Sequence, residues 1–276
     1  MINYYLLMKP GIILGNLITV GAGFFLASQG SFDLLVFLAA LFGLGLVMGS
    51  ACVMNNYIDR HLDQKMERTK YRALVTGLIS EKKALLFATV LGFLGGLILI
   101  LGTNKITFFV ALFGYIFYMI YSLGKSHTVY GTAIGSVSGA VPPVVGYCAI
   151  RGEFDLGALI LFGMMVFWQM PHFFAIAIFR MEDYRKANIP VFPIAYGLEK
   201  TRERMGLYIV LYILTSALLT LFGFVGYFTL GTIVLGGLLW LKSCFQGIPD
   251  AKWGYKMFKE SLVLITIVSF AISFKI

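Results

Sequence analysis

Residues 33–63 read DLLVFLAALFGLGLVMGSACVMNNYIDRHLD. From Leu34 to Met54 the stretch carries no charge; it turns polar at Asn55 and Asn56 and charged at Asp59, Arg60 and Asp63. A helix crossing a bilayer needs about 20 mainly apolar residues, and positions 33–55 supply them. Asn55, Asp59 and Asp63 recur at every fourth position. Each such step on a helix turns about 400° and climbs about 6 Å, so the three side chains share one face. The stretch reads as a membrane span that ends in a stripe of one amide and two carboxylates.

The rest of the chain has the same character. Of 276 residues, 59% are hydrophobic and 13% are charged, against about 25% charged in soluble domains. This excludes most soluble enzymes, disordered chains and nucleic-acid-binding modules. About nine apolar runs meet the spanning rule: residues 11–28, 33–55, 84–102, 106–123, 131–150, 156–179, 205–223, 225–242 and 260–275. The first is long enough to span and reads as a transmembrane helix rather than a cleaved leader. The expected fold is all-α, a polytopic membrane bundle forming one domain over residues 1–276. The net charge of +9 belongs to loops, not to a nucleic-acid surface. With the N-terminus in the cytoplasm and loops alternating, 19 Lys and Arg fall inside and 3 outside, namely Lys105, Arg151 and Lys275. That asymmetry follows the positive-inside rule and puts the C-terminus outside.

Several apolar runs carry marks of close packing. Gly43, Gly45, Gly92, Gly95, Gly96, Gly131, Gly135 and Gly139 are spaced so that helices can approach closely in lipid. Cys52, Cys148 and Cys244 are isolated and form neither a metal nor a disulfide pattern. Pro142 and Pro143 interrupt a backbone ladder that neighbouring helices must shelter, which points to a cavity wall. Pro171 should kink its span and open a pocket. His172, next to it, needs a protein or water partner inside the membrane. Tyr115, Tyr118 and Tyr121 share a face where aromatic rings shield a cation or anchor at the lipid interface.

Two polar segments carry the chemistry. The oxygen ligands Asn55, Asp59 and Asp63 suit Mg²⁺, which bridges carboxylates to phosphates. Arg68, Lys70 and Arg72 follow, and cations beside such a stripe are what a diphosphate needs. The bland reading is a juxtamembrane loop with solvated charges. The second segment runs from Arg180 through Asp183 and Lys186 to Ile189-Pro190. Taken alone it reads as a snorkelling helix end. Facing the first segment, it would add Asp183 as a metal ligand and Arg180 and Lys186 as phosphate cations.

These motifs resemble the UbiA-type intramembrane prenyltransferases, and within them the protohaem IX farnesyltransferase branch. The carrying residues are Asn55-Asn56-Tyr57-Ile58-Asp59, Asp63, Met66-Glu67-Arg68-Thr69 and Arg72; Ser138-Gly139-Ala140 with Pro142-Pro143; Trp168-Gln169-Met170-Pro171-His172-Phe173; and Asp183-Tyr184 with Ile189-Pro190. The resemblance implies a nine-helix bundle around a central cavity, in a bacterial cytoplasmic membrane. It implies Mg²⁺-dependent transfer of farnesyl from farnesyl diphosphate to haem b, giving haem O, with a haem A synthase as a further partner. By position, Asn55, Asp59, Asp63 and Asp183 would hold the metal, and the three aspartates would be catalytic. Asn56, Arg68, Lys70, Arg72, Lys125, Arg180 and Lys186 would join Asn55 in binding substrate, and His172 would position the haem. The chain departs from the wider superfamily at Asn56 and Ala187, as the haem branch does, and has Lys125-Ser126 where a Lys-Arg pair is expected.

Two other readings follow from the same residues. A sibling acting on a quinone precursor or chlorophyllide would share the first motif but lack the Trp168–Phe173 segment. A transporter would place its ionisable groups near the bilayer midplane, whereas here they gather at one face. The topology is tested by reporter fusions at Ser80 and after Ile276, which are expected on opposite faces of the membrane. Both reporters on one face would contradict the expected arrangement.

Overall fold

A computed structural model describes residues 1–273; Lys275, one of the three cations assigned outside, lies beyond the described residues. Every regular element among those described is helical. The chain begins with α1 (Ile2–Leu7), α2 (Pro10–Ser28), α3 (Leu34–Asp63), α4 (Glu81–Gly102) and α5 (Lys105–Gly124). It continues through α6 (Gly131–Gly139), α7 (Val141–Arg151), α8 (Leu156–Phe179) and the short α9 (Met181–Lys186) and α10 (Phe192–Tyr196). It ends with α11 (Leu198–Leu221), α12 (Tyr227–Phe245) and α13 (Ala251–Ile272). Among the described residues, eight segments are long and apolar enough to cross a membrane, with α6 and α7 together forming one of them. The chain is a multi-pass integral membrane protein. Of the ninth expected span, 260–275, residues 260–272 form the apolar later part of α13, whose first turns carry Lys252, Lys256 and Lys259.

Three helices extend well past their apolar runs. α3 continues beyond Asn55 to Asp63, α11 begins at Leu198 and α13 begins at Ala251. Hydropathy stops where lipid would stop, but backbone hydrogen bonding continues into water, so apolar runs underestimate these helices. The starts are set by local chemistry. Asp33 accepts the Leu35 and Val36 amides at the head of α3. Asn104, Asp155 and Asp250 do the same for α5, α8 and α13. Each satisfies an amide that the first helical turn leaves without a partner.

Packing places α3 against α4, α2 against α7, and α8 between α11 and α13. Contact between α13 and α2 brings the last long helix back to the first. Small residues sit at the tight crossings. A Cβ on Gly146 would overlap the Val20 carbonyl, and one on Gly23 would overlap the Pro143 carbonyl. A Cβ on Gly95 would press on the backbone at Gly43 and Val47. Gly45, by contrast, has only side chains at ordinary contact distance.

The Pro-Pro pair marks a helix junction. The helix restarts there, with Ala140 between α6 and α7 and the prolines in the first turn of α7, where a missing N–H costs nothing. Both prolines are buried, and they pack in the core. Pro143 cannot donate to the Gly139 carbonyl one turn back. The Gln169 amide of α8 donates to it instead, at 3.0 Å. Pro171 is likewise buried, and α8 runs through it as one helix. Gly146→Val should destabilise the bundle by about 1–3 kcal/mol, the usual cost of overpacking. Gly21→Ala, with nothing within 4 Å, should be neutral. Thermal unfolding in detergent checks both.

Candidate active site

The extension of α3 carries the stripe. Asn55, Asp59 and Asp63 are 2%, 3% and 2% exposed. A buried carboxylate stays ionised only if it is paired or hydrogen-bonded, and each finds a cation from elsewhere in the chain. Lys125, just past α5, donates to Asp59 Oδ2. Arg72, in the α3–α4 loop, donates to Asp63 Oδ2 at 2.6 Å. Lys9, between α1 and α2, donates to Asn55 Oδ1. The Asn55 amide donates in turn to Ser122 Oγ at 2.9 Å. Asp59 Oδ1 is buried and has no hydrogen-bond partner among the described residues.

The stripe also gathers residues that sequence reasoning missed. Lys9 looked like an ordinary charge preceding a span. Its backbone is left-handed, at φ 56° and ψ 62°, which is uncommon for a non-glycine residue. This bend turns the chain into α2 beside the stripe. Burial pulls the Lys9 ammonium down to about 8, with repulsion from Arg72 and Lys125 adding to the effect. Tyr184 of α9 was only a motif letter. Burial pushes its phenol up to about 12, and Tyr121, Asp59, Lys125 and Arg68 all act on it electrostatically. The αL strain of Lys9 leaves no mark in composition or periodicity.

The second segment meets the first through a small apolar core. Met66 packs with Ala187 and Ile189, flanked by Leu62, Tyr184 and Val191. Ala187 is buried there, so a carboxylate at this position would lose its hydration. Asp183 Oδ1 accepts the Glu67 backbone N–H at 3.2 Å. Asp59, Asp63 and Asp183 do not form one cluster of metal-ligating side chains among the described residues. Asp183 serves the joint between segments, and no cluster of three or more His, Cys, Asp or Glu able to hold a metal occurs among the described residues.

Other expected site residues also lie elsewhere. Asn56 points towards α1, with Nδ2 donating to the Leu7 carbonyl at 2.8 Å. Lys70 pairs with Glu67 at 2.6 Å and Lys186 approaches it at 3.7 Å. Both pairs are exposed at the rim, where screening leaves them little strength. Arg68 and Arg180 line an open pocket of about 460 Å³ with Glu67, Phe179, Glu182 and Asp183. His172 is buried in the bundle, with Nδ1 2.7 Å from Ser261 Oγ on α13. Its ring stacks on Trp168 at 4.8 Å and lies 5.1 Å from Phe258. Tyr118 and Tyr121 stand beside the stripe, and the Lys125 ammonium lies 5.4 Å from the Tyr121 ring centre.

Known proteins share this plan. The model of the UbiA prenyltransferase family matches residues 16–263. The protoheme IX farnesyltransferase of Protochlamydia amoebophila (strain UWE25) is 53% identical over 99% of this chain and 99% of its own. That of Serratia proteamaculans (strain 568) is 49% identical over 99% of this chain and 94% of its own. Among solved structures, a digeranylgeranylglyceryl phosphate synthase superposes with a TM-score of 0.80 at 20% identity, covering 98% of this chain and 96% of that one. A UbiA homolog from Archaeoglobus fulgidus, bound to GPP and Mg²⁺, gives 0.76 at 18% identity, covering 98% and 99%. These two likenesses show the fold. The family match spans most of the chain and the identities reach half of all positions over nearly its whole length, so the chain belongs to the UbiA prenyltransferase family.

Proposed function

We propose that the chain transfers a farnesyl group from farnesyl diphosphate to a vinyl group of haem b, with addition of water, giving haem O and diphosphate. The observation that carries this reading is the full-length likeness to relatives named protoheme IX farnesyltransferase. The proposed setting is a bacterial cytoplasmic membrane, where a haem A synthase would take up the product.

The buried stripe is the proposed diphosphate site. Asn55, Asp59 and Asp63 form an all-oxygen donor set, and the unpartnered Asp59 Oδ1 leaves coordination capacity free, which fits Mg²⁺. When bound, Mg²⁺ would neutralise the diphosphate and make it a better leaving group. Lys125, Arg72 and Lys9 then face the phosphate oxygens. Fixed cations in a poorly hydrated site stabilise developing negative charge without reorganising. As the allylic C–O bond breaks, its electron pair leaves with the diphosphate. The tyrosine faces of α5 are placed to stabilise the farnesyl cation, and the apolar helices keep water away until the vinyl carbon has attacked. Water then captures the resulting cation and loses a proton. His172 serves the acceptor side by locking α8 to α13 through Ser261.

Asp59→Asn and Asp63→Asn should each lower turnover by roughly 100-fold or more while the protein stays folded. Lys125 and Arg72 are 15% and 23% exposed and can turn their freed charges to water. Turnover within about tenfold of the parent at saturating Mg²⁺, or roughly 1.4 kcal/mol, would reduce the stripe to a solvated helix end. The acceptor is tested by offering the purified protein haem b or 4-hydroxybenzoate with farnesyl diphosphate and Mg²⁺. Only haem b should gain mass, by one farnesyl group and one hydroxyl.

A further inference from the structure

The cations at this end of the bundle fall into two sets. The inner set, Lys9, Arg72 and Lys125, is engaged with Asn55, Asp63 and Asp59. The outer pair, Arg68 and Arg180, has no acidic partner among the described residues, although acids line the same pocket. Each of those acids has another partner. Glu67 pairs with Lys70 and Lys186, and Glu182 pairs with Arg185 at 2.6 Å. Asp183 Oδ1 takes the Glu67 backbone N–H. The Arg68 pKa is lowered by desolvation and by the neighbouring Arg72 and Arg180 cations, while Tyr184 and Asp183 act in the opposite direction. Two guanidiniums that line one pocket, neither of them in an ion pair among the described residues, keep donors available for an anionic ligand.

An aromatic wall adjoins them. Arg180 sits 4.8 Å from the ring centre of Phe179. Phe179 packs against Tyr255 at 5.6 Å and Phe258 at 5.5 Å. Phe258 meets His172, and His172 stacks on Trp168. A row of rings thus descends between α8 and α13 from the cationic pocket into the bundle. We propose that the Arg68–Arg180 pocket seats the two propionate carboxylates of the tetrapyrrole acceptor, with its macrocycle edge on Phe179. This assignment rests on haem b being the acceptor. It takes Arg68 and Arg180 away from the phosphates, which the inner set serves, and leaves the vinyl edge of the ring directed inwards.

Both arginines are exposed, so neutral replacements leave the core intact. Arg68→Gln, Arg180→Gln and the double variant are compared with the parent in lipid nanodiscs. The acceptors are haem b and its dimethyl ester, in which both carboxylates are blocked. Kinetics and absorbance titration of haem binding are read together. The double variant should raise KM for haem b by about tenfold or more and leave KM for farnesyl diphosphate within about twofold. The parent should prefer the free diacid, the double variant should not, and Arg180→Lys should recover part of the preference. An equal rise in KM for farnesyl diphosphate would return these cations to the phosphates and overturn the assignment. A parent that uses diacid and diester equally would overturn it while leaving haem b as the acceptor. A parent that turns over neither porphyrin would remove the acceptor reading and this assignment with it.

Discussion

Asp59 and Asp63 are ionisable groups almost sealed from water at the end of a membrane helix. Burying a lone charge costs many kcal/mol unless it is paired and hydrogen-bonded, and that cost organises the whole charged end of the molecule. Lys125 must be delivered by the end of α5, Arg72 by the loop after α3, and Lys9 by the bend before α2. Three distant parts of the chain are held at one place by the demand of one helix face. The same demand explains why α3 stays helical beyond its apolar run. Only a continuous helix keeps Asn55, Asp59 and Asp63 in line.

The apolar part of the bundle solves a backbone problem of the same kind. Inside lipid every carbonyl needs a partner within the protein. The Pro142-Pro143 pair removes donors, and Gln169 returns one to Gly139. Gly139 itself has no room for a Cβ, which would collide with that amide. Two sequence motifs that look like separate signatures are therefore the two halves of one contact between α6 and α8. Glycines at the α2–α7 and α3–α4 crossings bring backbones close enough for dispersion forces to hold helices that gain little from the hydrophobic effect in lipid. The result is a rigid frame behind the stripe, with the mobile chemistry left to side chains.

Much of this was legible in the sequence because its signals are local. Apolar run length marked the spans, and the fourfold spacing put the stripe on one face. What was not legible depends on tertiary partners. Ala187 was a departure from a pattern until Met66 was seen packed on it. Asp183 is visible in the sequence as an acid in a polar segment, but its bond to a backbone amide of the other segment is not. The charges of Lys70 and Lys186 are visible in the sequence, whereas their approach to Glu67 is not. Lys9 was overlooked because its importance comes from a left-handed backbone and a contact with Asn55, far along the chain. The amide that replaces the prolines' missing donor, on Gln169, belongs to another helix and is not visible at the prolines themselves.

The central claim is that the Asp59 carboxylate is held in the stripe by its buried ion pair with Lys125. A double-mutant cycle on stability tests it directly, using Lys125→Met, Asp59→Asn and both together in one lipid environment. Removing only Lys125 should destabilise the protein by about 3–5 kcal/mol, because a buried carboxylate is left uncompensated. Neutralising Asp59 in that background should recover most of the loss. A small effect of Lys125→Met, or simple additivity of the two changes, would contradict the account.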